Sequence, residues 1–336
     1  VNPIHAGSAP RRFQVLALDG GGAKALFTAH VLARLEADLG ICIADSFDLI
    51  AGTSAGGVIA LGLGAGMRPA EIVEHYATLT ARIFPHGRWA KWRYVLRPWT
   101  YAYSGEVLRQ ALGEVLGSRL LGHSHKRLVI PSWDVQRGEV HLFKTPHHAR
   151  LRRDWKISMV DVAMATTAAP TFFPAAAVDG QRLVDGGVWA NNPSVVAIGE
   201  AVSMLDVPLR SIRVLNVGTV DQRTYHPKRF DVGGWATWAT TATPLMLTAS
   251  SRGAQGTAMH LVGAQNYARF DVTVPGAIFT LDRASPEALA GLAAGQSRVL
   301  SPTYTEMFAD HVAHPYTPIH GPGSRRATPA PPGGDS

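Results

Sequence analysis

The chain of 336 residues holds a single cysteine, Cys42, so no disulfide can form within it. That excludes the small disulfide-stapled folds and fits a reducing compartment, with Cys42 expected in the core. Charge is scarce too: 17% of residues are Asp, Glu, Lys or Arg against 46% hydrophobic, which excludes a disordered polyelectrolyte and supplies a large core. Yet no run reaches the roughly 20 uninterrupted apolar residues of a membrane span. Residues 1–12 lack an apolar leader, so a cytoplasmic protein that at most visits membranes is expected. No HExxH is present, which leaves His123, His125, His147 and His148 as surface or hydrogen-bonding groups rather than ligands. No EF-hand spacing of acids appears either, so neither metal nor organic cofactor is expected. The triphosphate loop GxxxxGK(S/T) is also missing, and there is no internal repeat.

A net charge of +7 points to anionic partners such as phospholipid surfaces or nucleotides, or to nothing more than a basic surface. Residues 1–12 and 321–336 are rich in Pro, Gly and Ser and read as a disordered arm and tail. Between them, FQVLAL (13–18), SFDLIAG (46–52), RLVIPSWDV (127–135), EVHLFKT (139–145) and SIRVLNVGT (211–219) have the apolar runs of strands. The stretches 24–40, 54–66, 70–84 and 157–169 have helical spacing. Helices alternating with apolar strands predict an α/β fold, a sheet covered on both faces.

The first strand runs into three consecutive glycines, VLALDGGGAKALF (15–27), which are costly to order. One reading is a phosphate cradle, since Gly20, Gly22 and Ala25 fit GxGxx(G/A) before a helix. That fingerprint needs an acid about 20 residues on, at the end of a second strand. Glu36 and Asp38 fall inside the predicted helix, and Asp45 sits at a turn before the next strand. The other reading is an oxyanion site, in which the N–H groups of Gly21, Gly22 and Ala23 converge on one negative oxygen at a helix start.

The second reading gains from GTSAG (52–56), a GxSxG between a predicted strand and helix, the context a nucleophile elbow requires. Ser54 would be the nucleophile. For its base, LVDGGVWANNP (183–193) offers Asp185, which could equally be an ordinary Asp-Gly turn. A pocket that limits the hydration of an aspartate raises its basicity enough to act on serine directly. A Ser, Asp, His triad also remains open by chain order, because His226, His260, His311, His314 and His320 follow Asp185.

The motifs DGGGxK, GTSAG and DGG, in this order and at these separations, resemble the patatin-like phospholipase family, as do FDLIAGTSAGG, FKTPHH and VDVAMATTAAPTFFP. The resemblance covers roughly residues 13–200 and implies a three-layer α/β/α fold with a mostly parallel central sheet, residues 201–320 completing the same domain. It implies a Ser54–Asp185 dyad with an oxyanion loop at Gly20, Gly21 and Gly22, extended here to Ala23. Asp19, Lys24, Gly52, Gly56, Gly186 and Gly187 are the accompanying motif positions. One position departs: the family's usual glycine after Lys24 is Ala25. The resemblance further implies membrane phospholipids as substrate and action at the inner face of the cytoplasmic membrane. It also brings the bacterial antiphage effectors of the family, hence a cyclic di- or trinucleotide activator and a homo-oligomer, with no nucleic-acid polymer as partner. A constitutive lysophospholipase or carboxylesterase would carry the same dyad; a nucleotide sensor without catalysis would lack part of the set.

Two further stretches bear on substrate. RWAKWRYVLRPWTYAY (88–103) interleaves aromatics with cations, as a packed lid, a headgroup-layer contact or a nucleotide-stacking surface would. PLMLTASSRGAQGTAMHLVG (244–263) reads as a helix that would line an acyl channel with Phe172 and Phe173.

Overall fold

A computed structural model describes residues 11–84, 101–223, 234–275 and 284–322, with Asp231, Asp282 and Ser324. The expected arm and tail, His226 and most of the aromatic stretch at 88–103 therefore lie outside the described residues.

Strand β1 (Phe13–Leu18) is buried along its whole length, as a run of six residues without a charge requires. It pairs in parallel with β2 (Leu49–Gly52) on one side and with β7 (Ile212–Arg223) on the other. Beyond β2 lies β3 (Arg127–Asp134), again parallel, and beyond β7 lies β8 (Tyr267–Pro275), also parallel. The antiparallel strands gather at the far side of β3: β4 (Glu139–Lys144), β6 (Gln181–Asp185) and, paired to β6, β5 (Ala176–Val178). The sheet order is β5-β6-β3-β2-β1-β7-β8, with β4 off this path on β3.

Alternate residues of the central strands face opposite layers. Leu16, Leu18, Ile50, Leu128 and Ile130 pack in the cluster that holds α1 (Ala25–Leu39), α2 (Ala55–Gly64), α3 (Pro69–Ile83), α4 (Gly105–Leu116) and α5 (Met159–Thr167). Val15, Ala17, Leu49, Ala51 and Val129 pack on the other face. Their partners there include Ala197, Ile198 and Ala201 of α7 (Ser194–Leu205) and Ala258 and Val262 of α8 (Trp235–Val262), which follow the short α6 (Gly187–Ala190). A last helix, α9 (Pro286–Met307), closes over α1. This is the three-layer α/β/α arrangement with a mostly parallel sheet. Cys42 is half-buried, packed against the core rather than within it.

The chain leaves β1 toward β2 and β3 and returns on its other side at β7, so the order reverses at β1. Open α/β sheets form ligand crevices at the carboxyl ends of the strands beside such a reversal. The register pairs Leu18 with Gly52, which places the glycine run after β1 beside the GTSAG turn after β2.

Candidate active site

Ser54 sits in the turn between β2 and α2 with φ 54° and ψ −125°, a left-handed conformation that costs a side-chain-bearing residue about 1–3 kcal/mol. Its surroundings enforce the turn. A Cβ on Gly52 would stand 2.3 Å from the Gly56 carbonyl oxygen, and one on Gly56 would stand 2.4 Å from the Leu18 carbonyl oxygen, so both positions exclude any side chain. The Ser54 N–H donates to Thr166 Oγ1 at 2.9 Å, whose own hydroxyl donates to the Pro131 carbonyl at 2.7 Å. The hydroxyl of Thr53 is tied to the Ala190 carbonyl at 2.6 Å. The turn is thus held from β3, α5 and α6.

Asp185 ends β6, whose antiparallel pairing with β3 sets it opposite Ser132. Its Oδ2 accepts the Ser54 hydroxyl at 2.6 Å, and its Oδ1 accepts the Gly187 N–H at 2.7 Å. Gly186 must be glycine because a Cβ would lie 2.3 Å from the Pro131 carbonyl oxygen. Burial raises the Asp185 pKa from 3.8 to about 6, against the opposing pull of the hydrogen bonds from Ser54 and Gly187. Its carboxylate is therefore a stronger base than a hydrated one, yet still ionised at neutral pH.

The glycine run is anchored through Asp19. Its buried carboxylate is bridged by Arg269 of β8 at 2.9 Å, and it accepts hydrogen bonds from Asn216 at 2.7 Å and Ser251 at 3.2 Å. Lys24 donates its ammonium to the Val220 carbonyl at 3.0 Å, and Tyr76 donates to the Gly22 carbonyl at 2.8 Å. Lys24 therefore holds the loop to β7.

Of the expected oxyanion donors, Gly20 is committed elsewhere: its N–H donates to the Asn191 carbonyl at 3.0 Å. It is glycine because a Cβ would meet Asn191 Oδ1 at 2.4 Å and Ser54 Cβ at 3.2 Å. Gly21 and Gly22 line the cavity around Ser54, whereas Gly20 and Ala23 do not. Gly22 lies in the left-handed region at φ 55°. Asn191, missed in the sequence, stands between both loops. Its carbonyl holds Gly20, and its amide donates to Ser251 Oγ at 3.0 Å. The only sequence signal was its place six residues after the aspartate of the DGG motif.

A cavity of about 230 Å³ opens over the pair. Beyond Ser54, Asp185 and Asn191 its wall is mostly apolar, including Leu79, Ile83, Phe84, Leu108, Phe172 and Phe173. Met246 and Leu247 of α8 line it as well, so the 244–263 helix and Phe172 and Phe173 do share one cavity, although that helix begins earlier, at Trp235. Three apolar side chains stand exposed near its mouth: Val188 at 47%, Leu245 at 45% and Met246 at 67%.

Among the described residues no histidine lines this cavity. His311 is bound to Asp48 at 2.7 Å and His320 to the Ala149 carbonyl at 2.9 Å. His147 is fully buried between Thr145 and Glu200, a hydrogen-bonding group. Among the described residues no cluster of His, Cys, Asp and Glu could hold a metal ion, and no helix is long and apolar enough to cross a membrane.

Comparison with known proteins agrees with this geometry. The family model described as patatin-like phospholipase matches residues 16–198, a stretch that runs from β1 through both motif turns into α7. A cGAMP-activated phospholipase of Pseudomonas aeruginosa is 39% identical over 211 residues, 62% of this chain and 62% of that protein. Another cGAMP-activated phospholipase, from Vibrio cholerae, is 33% identical over 241 residues, 66% of this chain and 68% of that one. Patatin-like protein 2 of Arabidopsis thaliana is 30% identical over 330 residues, 83% of this chain and 80% of that protein. The match therefore spans less than two thirds of the Pseudomonas relative's own length.

Proposed function

The chain belongs to the patatin-like phospholipase family, and we propose that it is a lipid acyl hydrolase that cleaves glycerophospholipid carboxyl esters through a Ser54–Asp185 dyad. The observation that carries this reading is the 2.6 Å contact from Ser54 Oγ to a buried aspartate with a raised pKa, set under an apolar cavity.

In the mechanism, Asp185 Oδ2 takes the hydroxyl proton as Ser54 Oγ attacks the ester carbonyl carbon. The carbonyl oxygen becomes an oxyanion, which the N–H groups of Gly21 and Gly22 receive; such donors act without reorganising, and one is worth about 2.7–4 kcal/mol in the barrier. Collapse breaks the ester bond, and the proton held on Asp185 passes to the departing alkoxide of the lysolipid. Asp185 then takes a proton from water, which attacks the acyl-enzyme; Ser54 leaves as the free hydroxyl and the fatty acid is released. Each proton that Asp185 accepts it returns, so no second base is needed. The apolar wall formed by Leu79, Ile83, Phe84, Leu108, Phe172 and Phe173 suits an acyl chain. The exposed Val188, Leu245 and Met246 suit contact with a bilayer from which that chain is drawn.

Resemblance to two proteins named as cGAMP-activated phospholipases supports a cyclic-nucleotide activator, and with it hydrolysis of the cell's own phospholipids at the inner face of the cytoplasmic membrane. The plant relative, whose name carries no activator, supports a second reading in which hydrolysis is constitutive. The test is fatty-acid release from phospholipid vesicles by the protein and by Ser54→Ala, with and without cyclic di- and trinucleotides. Release that needs Ser54 and one nucleotide is expected. Release that needs Ser54 alone selects the constitutive reading, and no Ser54-dependent release overturns both.

A further inference from the structure

Asn191 follows α6, is half-buried and lines the cavity over the dyad. Its amide has a donor end and an acceptor end, and a chain of hydrogen bonds decides which of them faces the chemistry. Arg269, Asn216 and Ser251 all donate to the Asp19 carboxylate, Ser251 at 3.2 Å. A hydroxyl has one proton, so Ser251 Oγ, having given its own to Asp19, can only accept from Asn191. The group it meets, at 3.0 Å, is accordingly the Nδ2 donor. The amide oxygen is left on the other side.

That side is the dyad. The place a Cβ would take on Gly20 is 2.4 Å from Asn191 Oδ1 and 3.2 Å from Ser54 Cβ. The corresponding place on Gly187 is 3.2 Å from Asn191 Oδ1 and 3.0 Å from Asp185 Oδ1. The two glycines thus leave open the gaps across which this oxygen approaches nucleophile and base. The remaining polar side chains on the cavity wall are hydroxyls turned to backbone carbonyls: Tyr76 to Gly22 at 2.8 Å, Thr80 to Tyr76 at 2.9 Å and Thr167 to Ala163 at 2.7 Å. Asn191 Oδ1 receives a hydrogen bond from no described residue, so an acceptor stands ready beside the dyad.

We propose that Asn191 is a catalytic residue of the second step: its Oδ1 accepts a hydrogen bond from the water that hydrolyses the acyl-enzyme and aims that water at the acyl carbon. The inference rests on the Ser54–Asp185 reading above. Once Ser54 is acylated, its Oγ has no proton for Asp185 Oδ2, which is free to accept one from water. Asp185 removes that proton as the water oxygen bonds to the acyl carbon. The second proton stays on the water oxygen, and its bond to Asn191 Oδ1 fixes the rotation of the molecule about its contact with Asp185. The bond from the acyl carbon to Ser54 Oγ then breaks, the proton on Asp185 passes to Ser54 Oγ, and the carboxylic acid leaves with the retained proton. Ser251, Asp19 and Arg269 act through Asn191 as positioning residues. Ser251 on α8 and Arg269 on β8 lie beyond the stretch 16–198 that the family model matches, which gives the second part of the chain a share in the reaction. An alcohol differs from water here. Its single hydroxyl proton goes to Asp185, so it needs nothing from Asn191.

The test measures how the acyl-enzyme divides between water and methanol. The wild type, Asn191→Leu and Ser251→Ala receive a soluble short-chain nitrophenyl ester in dilute methanol, with Ser54→Ala as the blank, and the methyl ester and free acid formed are both measured. Loss of one hydrogen bond to the water is expected to raise the ratio of methyl ester to acid roughly tenfold in Asn191→Leu. In Ser251→Ala, where the amide is no longer held, a smaller rise is expected. The ratio belongs to one intermediate, so neither the folded fraction nor the acylation rate enters it. Ser251 is not on the cavity wall, so its variant keeps the wall's polarity and decides the matter if Asn191→Leu misfolds. A ratio equal to that of the wild type in both variants overturns the proposal, even where total turnover falls, because that is what a merely structural role gives. A rise confined to Asn191→Leu overturns it as well, since an apolar wall that favours methanol over water gives the same result. Product that does not depend on Ser54, or no product with or without cyclic nucleotide, defeats the dyad reading itself and the proposal with it.

Discussion

Asp185→Asn separates catalysis from stability with a sign that follows from the site. A carboxyl whose pKa rises from 3.8 to about 6 on folding binds its proton more tightly in the native state. Stability is then greatest below the unfolded value and is lost as pH climbs through the folded one. Two units at about 1.4 kcal/mol each make the loss about 3 kcal/mol, complete by pH 7. An asparagine does not ionise, and its amide can still meet both Ser54 Oγ and the Gly187 N–H. The variant should therefore be more stable than the wild type at pH 7.5 by up to about 3 kcal/mol, with the difference shrinking toward zero at pH 4. Urea unfolding of both proteins from pH 4 to 8 measures this, and the difference between them cancels every other titrating group. The same ionisation governs rate: kcat/KM of the wild type should fall tenfold per pH unit below about 6 and be flat above it. Parallel stability curves for the two proteins, or an acid limb near pH 4, would show that the Asp185 carboxylate is hydrated and would refute the reasoning.

Other substitutions test separate parts of the site. Ser54→Gly removes the nucleophile and the left-handed strain together, so activity should vanish while thermal unfolding shows a gain of about 1 kcal/mol over Ser54→Ala. Gly56→Ala drives a methyl against the Leu18 and Asp19 carbonyls at 2.4 and 2.6 Å; because both are backbone, we expect a loss of at least about 3 kcal/mol in urea unfolding and a large fall in kcat. Leu245→Glu places a charge on an exposed apolar position outside the cavity wall. Hydrolysis of vesicles should fall severalfold with that of a soluble ester unchanged, and an equal fall in both would remove the bilayer contact.

Motif chemistry was legible in the sequence because it is local. A strand, a glycine turn and a helix are specified within a dozen residues, and GTSAG carries part of its own steric logic, since a Cβ on Gly52 would meet the Gly56 carbonyl inside one turn. The same holds for β1, β2, β3 and β7, whose apolar runs have no helical period. Strand β8 was not read, because Arg269, Asp271 and Thr273 interrupt its apolar residues; the fold supplies Asp19 as a partner for Arg269 and Arg252 as one for Asp271. Helix α9 was missed for a similar reason: it carries few charges to mark its outer face and a proline, Pro302, within it. The hydrogen bonding of the glycine loop was illegible on the same ground. Nothing near Gly20 in the chain shows that its N–H will meet the carbonyl of Asn191, or that Ser251 will bridge the Asn191 amide to Asp19 across 232 positions. Local sterics choose which residues can form the turns, and contacts distant in sequence decide which of their donors remain free for chemistry. Asp19 illustrates the division: its place in the motif was plain, but its buried charge is tolerable only because Arg269, Asn216 and Ser251 converge on it from three later elements.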